Sequence, residues 1–197
     1  MRAQRAFDYT YYRRYYYDPR TAVTTQPEMR ARARLIAAFT EHIGLPVRRV
    51  LDAGCGTGML RAPLRRLLPK IEYGGLETSE YLCHRYGWQP GRLEDYRPEE
   101  PFDLVICYDV LQYLDARRAA RALANFARIC RGALYFSALT RRDWQRNCDR
   151  TRTDADVCLR PGRWYRLRLL RSFREVGAGF WLRRGVPLTI WELESRW

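Results

Sequence analysis

Apolar positions along this 197-residue chain change their spacing several times, and each change marks an element. In residues 26–44 (QPEMRARARLIAAFTEHIG), Leu35, Ile36, Phe39 and Ile43 recur at helical spacing between Pro27 and Gly44, which predicts one amphipathic helix. Short apolar runs and helical periodicities then alternate. Residues 48–53 read as strand, 59–68 as helix, 71–76 as strand, 79–86 as a short helix and 91–93 as a short strand. FDLVICY at 102–108 is an unbroken apolar run of the kind that both faces of a sheet bury. Residues 116–130 place Ala119, Leu123, Phe126 and Ile129 on one helical face, and 132–138 (GALYFSA) return to strand. After a polar insert at about 140–163, residues 164–176 read as helix. Strands at 179–184 and 188–194 flank a turn at Gly185 and Pro187.

Strand and helix in alternation predict an α/β fold, a doubly wound and mostly parallel seven-stranded sheet with helices on both faces. The short final connection predicts a hairpin, so the C-terminal strand runs antiparallel to its neighbours. Residues 26–197 read as one domain, and 1–25 as an aromatic, basic segment ahead of it.

Candidate chemistry concentrates at the carboxyl ends of the strands, where open α/β sheets bind ligands. The first strand runs into VLDAGCGTG (50–58), in which Asp52 precedes glycines at 54, 56 and 58. Glycines at such a strand-to-helix turn let backbone N–H groups approach a ligand that a Cβ would hold off. The second strand delivers Glu77, 19 residues beyond Gly58, at a distance suited to ribose hydroxyls. The fourth delivers Tyr108 and Asp109, followed by Leu111, Gln112 and Tyr113.

Together these residues resemble the class I, Rossmann-like S-adenosylmethionine-dependent methyltransferases of small-molecule type. VLDAGCGTG is similar to the family's first motif, with G-x-G-x-G behind an acid, and FDLVICYDVLQYL is similar to its fourth-strand motif. The resemblance covers about residues 45–140. It implies S-adenosylmethionine as cofactor, S-adenosylhomocysteine as product, and no metal. Asp52, Gly54, Cys55 and Gly56 would hold the methionine end, with Gly58 opening the next helix. Glu77 and Thr78 would meet the ribose, and the Tyr108 carbonyl would lie near the cofactor's amino group. Where many members carry Gly-Asp after the third strand, this chain has Gly91-Arg92, so adenine recognition passes to Leu93 and Glu94. Tyr12, Tyr16, Asp109 and Tyr113 are the candidates for the catalytic side. The N/D-P-P-Y/F motif of amino-methylating DNA enzymes and the Pro-Cys nucleophile of cytosine-C5 enzymes are absent.

Charge changes the picture in the flanks. The net charge is +14, and every basic residue but Lys70 is arginine, a skew that a GC-rich genome would produce by itself. Residues 1–34 carry a +5 excess and 141–174 a +7 excess around a nearly neutral centre. In the first flank six tyrosines lie between Tyr9 and Tyr17, interleaved with Arg13 and Arg14. Tyr12 and Tyr16 are four residues apart and share a helical face. This segment reads as a lid over the acceptor site, with an aromatic helix packed on the sheet as the alternative. The insert, beginning at Arg141, Arg142 and Trp144, is a second place for acceptor contacts. A small anionic or aromatic acceptor follows, free or presented by an acidic carrier protein. RNA is the competing acceptor, since arginines and aromatics together suit phosphates and bases. A non-catalytic cofactor-binding protein is a third reading. The six cysteines form no C-x-x-C pair and the histidines are only His42 and His84, so neither a zinc site nor a disulfide framework is expected. Without a secretory signal or a membrane-length apolar run, a cytoplasmic monomer or homodimer is expected.

Overall fold

The computed structural model describes residues 7–188. Helix α1 (Tyr9–Tyr12) continues into one π-helical turn (Arg13–Tyr17), and α2 (Gln26–His42) follows. The alternating part comprises β1 (Arg49–Ala53), α3 (Arg61–Leu67), β2 (Glu72–Glu77), α4 (Glu80–Tyr86), β3 (Gln89–Pro90) and β4 (Phe102–Tyr108). A 3-10 turn (Leu111–Tyr113) leads to α5 (Ala116–Ile129), β5 (Cys130–Ser137), α6 (Arg141–Arg146), α7 (Gly162–Leu169), β6 (Phe173–Gly177) and β7 (Phe180–Arg183).

The seven strands form one sheet in the order β3-β2-β1-β4-β5-β7-β6. Strand β7 is antiparallel to β5 and β6, whereas the pairs among β1 to β5 are parallel. This is the mostly parallel α/β sheet that the alternation predicts. The chain leaves β1 toward β2 and β3 on one side and returns to β4 on the other, so a crevice opens beyond the ends of β1 and β4.

Both sheet faces are buried, which is why the central strands are nearly continuous in apolar residues. Leu51, Val105 and Leu134 pack on one face beneath Phe126 of α5 and Leu169 of α7. Val50, Ile106 and Ala133 pack on the other beneath Ile36 of α2 and Leu64 of α3. Local signals start the helices. Thr25 and Glu28 form a reciprocal capping box on α2, and Asp115 and Ser79 cap α5 and α4.

The C-terminal part differs from the sequence expectation. The helix expected over 164–176 ends at Leu169, because Phe173–Gly177 pairs with Phe180–Arg183 as a hairpin. Its turn is Gly177-Ala178-Gly179, all with positive φ, and Gly185 and Pro187 lie beyond it. Leu188 is not in a strand, and the rest of the expected 188–194 strand lies outside the described residues. The third strand falls at 89–90, just before the expected 91–93. Within the polar insert, α6 is capped by Thr140 and Asp143. The base is closed by a bridge between Thr140 and Arg160.

Candidate active site

The glycine loop leaves β1 in a left-handed path. Gly54, Gly56 and Gly58 have φ of 76°, 53° and 73°, a region that residues with a Cβ rarely adopt. A Cβ at Gly54 would strike Val110 and one at Gly58 would strike the Trp88 ring, while nothing stands within 4 Å of one at Gly56. Packing therefore fixes the two ends of the loop, and its middle faces open space. Trp88 also ties the loop down, its indole N–H donating to the Gly56 carbonyl at 2.9 Å.

Glu77 ends β2 beside this loop and is almost fully buried. Its Oε2 accepts from the Gly56 N–H at 2.9 Å, and its Oε1 accepts from the N–H groups of Thr78 (2.7 Å) and Ser79 (3.1 Å). The carboxylate thus holds the two strand-end turns in register. Asp52, one strand over, is enclosed and accepts a hydrogen bond from the Tyr73 hydroxyl. Burial pushes its carboxyl up to about 7, the Tyr73 bond opposing the shift and nearby Glu77 adding to it.

Leu93 is buried with Leu51, Ala53 and Leu76 in the core. Glu94 is buried too, and its Oε1 accepts from Arg118 Nε at 2.6 Å. Its Oε2 is enclosed without a hydrogen-bond partner among the described residues. Such an atom is costly unless something donates to it.

Asp109 follows β4 with φ of 57°, and it and Ala178 are the non-glycine residues with positive φ among those described. Its N–H donates to the Ser137 carbonyl (3.0 Å), and its Oδ1 accepts from the Ser137 hydroxyl at 3.4 Å. Burial raises the Asp109 pKa, with Arg32, Tyr108 and Ser137 opposing and Asp143 adding. Arg32, on α2, lies over the Tyr108 ring at 3.8 Å from its centroid and donates to the Met29 sulfur.

The N-terminal segment closes over these strand ends. It packs on α4 and its surroundings, with Tyr11, Tyr12 and Tyr15 clustered against Cys55, Leu82 and Trp88 and with Tyr73 of β2 beside them. Tyr12 stacks near Tyr81, the Tyr17 and Tyr86 hydroxyls hydrogen-bond at 3.3 Å, and the Ser79 hydroxyl donates to the Phe7 carbonyl. Tyr12 and Tyr16 lie 5.4 Å apart between ring centroids. The Tyr11 hydroxyl donates to that of Tyr113 at 3.1 Å. Burial raises the Tyr16 pKa, and the groups adding to the shift are Tyr113, Asp109, Glu77 and Tyr108 in that order. Tyr16 also lies 6.3 Å from the Tyr11 ring between centroids. Its hydroxyl makes no hydrogen bond among the described residues. A cavity of about 320 Å³ lies between this segment and the loop, lined by Tyr16, Tyr17, Thr25, Thr57, Met59 and Tyr86 among others.

The structure thus gathers the glycine loop, Cys55, Glu77, Thr78, Tyr108, Asp109, Tyr113, Tyr12 and Tyr16 around one crevice. Asp52 lies beneath it, and Leu93 and Glu94 lie within the core. Sequence reasoning missed Trp88, Ser79, Tyr11 and Arg32. The adjacent glycines 74 and 75 in β2 were a usable signal for Trp88, since a Cβ at Gly75 would collide with its ring. It also missed Arg160, which is buried and donates to the carbonyls of Leu111 (3.0 Å), Cys158 (3.2 Å) and Leu114. That arginine pins the insert to the turn that carries Tyr113.

Residues 51–132, under half of the chain, match the family described as "Methyltransferase domain". Trans-aconitate 2-methyltransferase of Pseudomonas paraeruginosa is 28% identical over 94 residues, covering 44% of this chain and 34% of the relative. Ubiquinone biosynthesis O-methyltransferase of Hahella chejuensis is 33% identical over 116 residues, covering 51% and 47%. The chain therefore spans between a third and a half of the length of these curated relatives. Among solved structures, magnesium protoporphyrin IX methyltransferase from Synechocystis PCC 6803, with bound S-adenosylhomocysteine, superposes with a TM-score of 0.55 at 20% identity. That superposition covers 78% of this chain and 83% of the other. No helix among the described residues is long and apolar enough to cross a membrane.

Proposed function

We propose, from the fold and from the family match over residues 51–132, that this chain carries a class I S-adenosylmethionine-dependent methyltransferase domain and methylates a small acceptor. The observation that carries this reading is the open, left-handed middle of the glycine loop, held at 2.9 Å by the carboxylate that ends the neighbouring strand. S-adenosylmethionine, when bound, supplies an electrophilic methyl group on a sulfonium.

The residues present suit that cofactor. Gly54, Cys55, Gly56 and Gly58 shape the loop for its methionine end, above Asp52. Glu77 and Thr78 stand where ribose hydroxyls would donate. The unpartnered Oε2 of Glu94 is an acceptor for an exocyclic adenine amine, in the place left open by Gly91-Arg92. The Tyr108 carbonyl closes the methionine side. Tyr12, Tyr16, Asp109 and Tyr113 line the acceptor side, where enclosure and alignment supply most of what methyl transfer requires.

Tyr11, Tyr12 and Tyr15 of the N-terminal segment turn inward, whereas Tyr9, Arg13, Arg14, Arg141, Arg142, Arg146 and Arg150 are exposed. That division favours an aromatic or apolar acceptor body, and it leaves the arginines to an acidic carrier protein outside the mouth. The curated relatives act, by their names, on trans-aconitate and in ubiquinone biosynthesis, both small molecules. Calorimetry with S-adenosylhomocysteine tests the site. Glu77→Ala should weaken binding by about 1–3 kcal/mol, through loss of charged hydrogen bonds and of the loop's anchor. Unchanged affinity in a folded variant rejects the assignment.

A further inference from the structure

Resting on the methyl-transfer reading, we propose that the acceptor is an uncharged aromatic carrying hydroxyl or amide groups, seated in the cavity between the N-terminal segment and the glycine loop. That cavity measures about 320 Å³, room for on the order of ten non-hydrogen atoms. Thr57 and Met59, on either side of Gly58, belong to its wall, so a ligand there lies against the glycine loop. Tyr16, Tyr17 and Tyr86 add ring surface, and Gln26, the first residue of α2, also lines it.

Every residue that lines this cavity is neutral, in a chain with a net charge of +14. The charged groups nearest to it are committed elsewhere. Asp18 and Arg20, which flank Pro19 on the wall, pair with each other through two hydrogen bonds of 3.1 and 2.9 Å. Glu28 turns back to cap α2, accepting from the Thr25 N–H at 2.7 Å and from the Thr24 hydroxyl at 3.2 Å. Arg85 lies over the rings of Tyr17 and Tyr86, 5.8 and 5.6 Å from their centroids, and donates to the Tyr86 hydroxyl at 3.3 Å. Arg152 donates to the Ala22 carbonyl from the insert and is not on the wall. An ion entering the cavity would leave water without gaining a counter-charge, a far costlier transfer than that of a neutral group.

The wall offers neutral hydrogen bonding instead. The Tyr16 and Thr57 hydroxyls and the Gln26 side-chain amide have no hydrogen-bond partner among the described residues. Each both donates and accepts, so a hydroxyl or carboxamide on the ligand is matched whichever way it turns. The tyrosine rings take an aromatic body in offset or edge-on contact. The anionic acceptor expected from the arginine-rich flanks finds no arginine on this wall.

para-Hydroxybenzamide, para-hydroxybenzoate and para-hydroxybenzylamine share one aromatic body and are neutral, anionic and cationic at neutral pH. Titrated calorimetrically into the full chain loaded with S-adenosylhomocysteine, the amide should bind at least about tenfold more tightly than either ion, since an unpaired charge must be desolvated. Gln26→Glu, at an exposed position, puts a carboxylate on the wall and should raise the relative affinity of the benzylamine about threefold. Either ion binding as tightly as the amide, no binding of the amide at millimolar concentration, or unchanged ratios in Gln26→Glu overturns the proposal. Binding of the amide to the empty chain that S-adenosylhomocysteine abolishes overturns it too, and would give the cavity to the cofactor. Failure of the wild type to bind S-adenosylhomocysteine rejects the methyl-transfer reading and the proposal with it, whereas a wrong order among the three ligands in a loaded chain rejects the proposal alone.

Discussion

A carboxyl group as enclosed as that of Asp52 is hard to ionise, and its hydrogen bond from Tyr73 offsets only part of that penalty. Its folded-state value of about 7 lies well above that of a carboxyl in an unfolded chain. The sign follows directly. Between about pH 4 and about pH 7 the native state retains a proton that the unfolded state has released, so stability falls as pH rises through that window. Below it both states are protonated and the contribution is fully present. Asp52→Asn keeps an acceptor for Tyr73 and removes the titration. Urea melts across that range should show a flatter pH profile for this variant than for the wild type, and parallel profiles would contradict the burial argument. If the ionised form receives the cofactor's cationic end, wild-type affinity for S-adenosylhomocysteine should also rise through about pH 7, and that rise should be absent in Asp52→Asn.

Helix α4 is short, yet it joins the cofactor side to the acceptor side. Ser79 caps it by accepting from the Leu82 N–H at 3.2 Å, and the same hydroxyl donates to the Phe7 carbonyl. Ser79→Ala should cost about 1 kcal/mol of stability from the cap. It should also speed amide exchange in residues 9–17 beyond what global destabilisation explains, and exchange rising only in step with stability would mean that the segment is held by its rings alone. The elements of the sheet's centre were legible in sequence because apolar runs and helical periodicities there agree with their burial, as at Val50–Ala53 and along α5. The region after α7 was not. Leu169, Leu170, Phe173 and Val176 keep helical spacing, and pairing of Phe173–Gly177 with β7 overrides it. The Gly177-Ala178-Gly179 turn was available as a hairpin signal and was outweighed by Gly185 and Pro187. At the site, the placement of the glycine loop and Glu77 at adjacent strand ends could be read because it depends on chain position. Arg32 and Tyr11 could not, because α2 and the N-terminal segment reach the strand ends only through tertiary packing.

At the scale of the molecule, the two basic flanks meet. Arg152 in the insert donates to the Ala22 carbonyl behind the N-terminal segment, and Tyr11 from one flank bonds Tyr113, on the turn that Arg160 ties to the other. The insert and the N-terminal segment therefore border one mouth, with Tyr11, Tyr12 and Tyr15 buried and Arg13, Arg14, Arg141 and Arg142 exposed. The two large apolar clusters lie on the sheet faces and, among the described residues, draw nothing from those before α2. The third cluster, by contrast, is half N-terminal segment, and without it Tyr81, Leu82 and Trp88 face water. Removing residues 1–24 should accordingly leave a cooperatively folding sheet domain with a lowered melting temperature, because the lost burial belongs to the smallest cluster. Methyl transfer to the true acceptor should be abolished through loss of Tyr12 and Tyr16. Because Trp88 braces the glycine loop at Gly56 and Gly58, S-adenosylhomocysteine should still bind, though more weakly than to the whole chain. Circular dichroism, calorimetry and a transfer assay on the truncated protein check the three parts independently. Full activity after truncation would show that the acceptor is held by the insert and strand ends alone, and an unfolded product would show that α4 cannot stand without its aromatic cover.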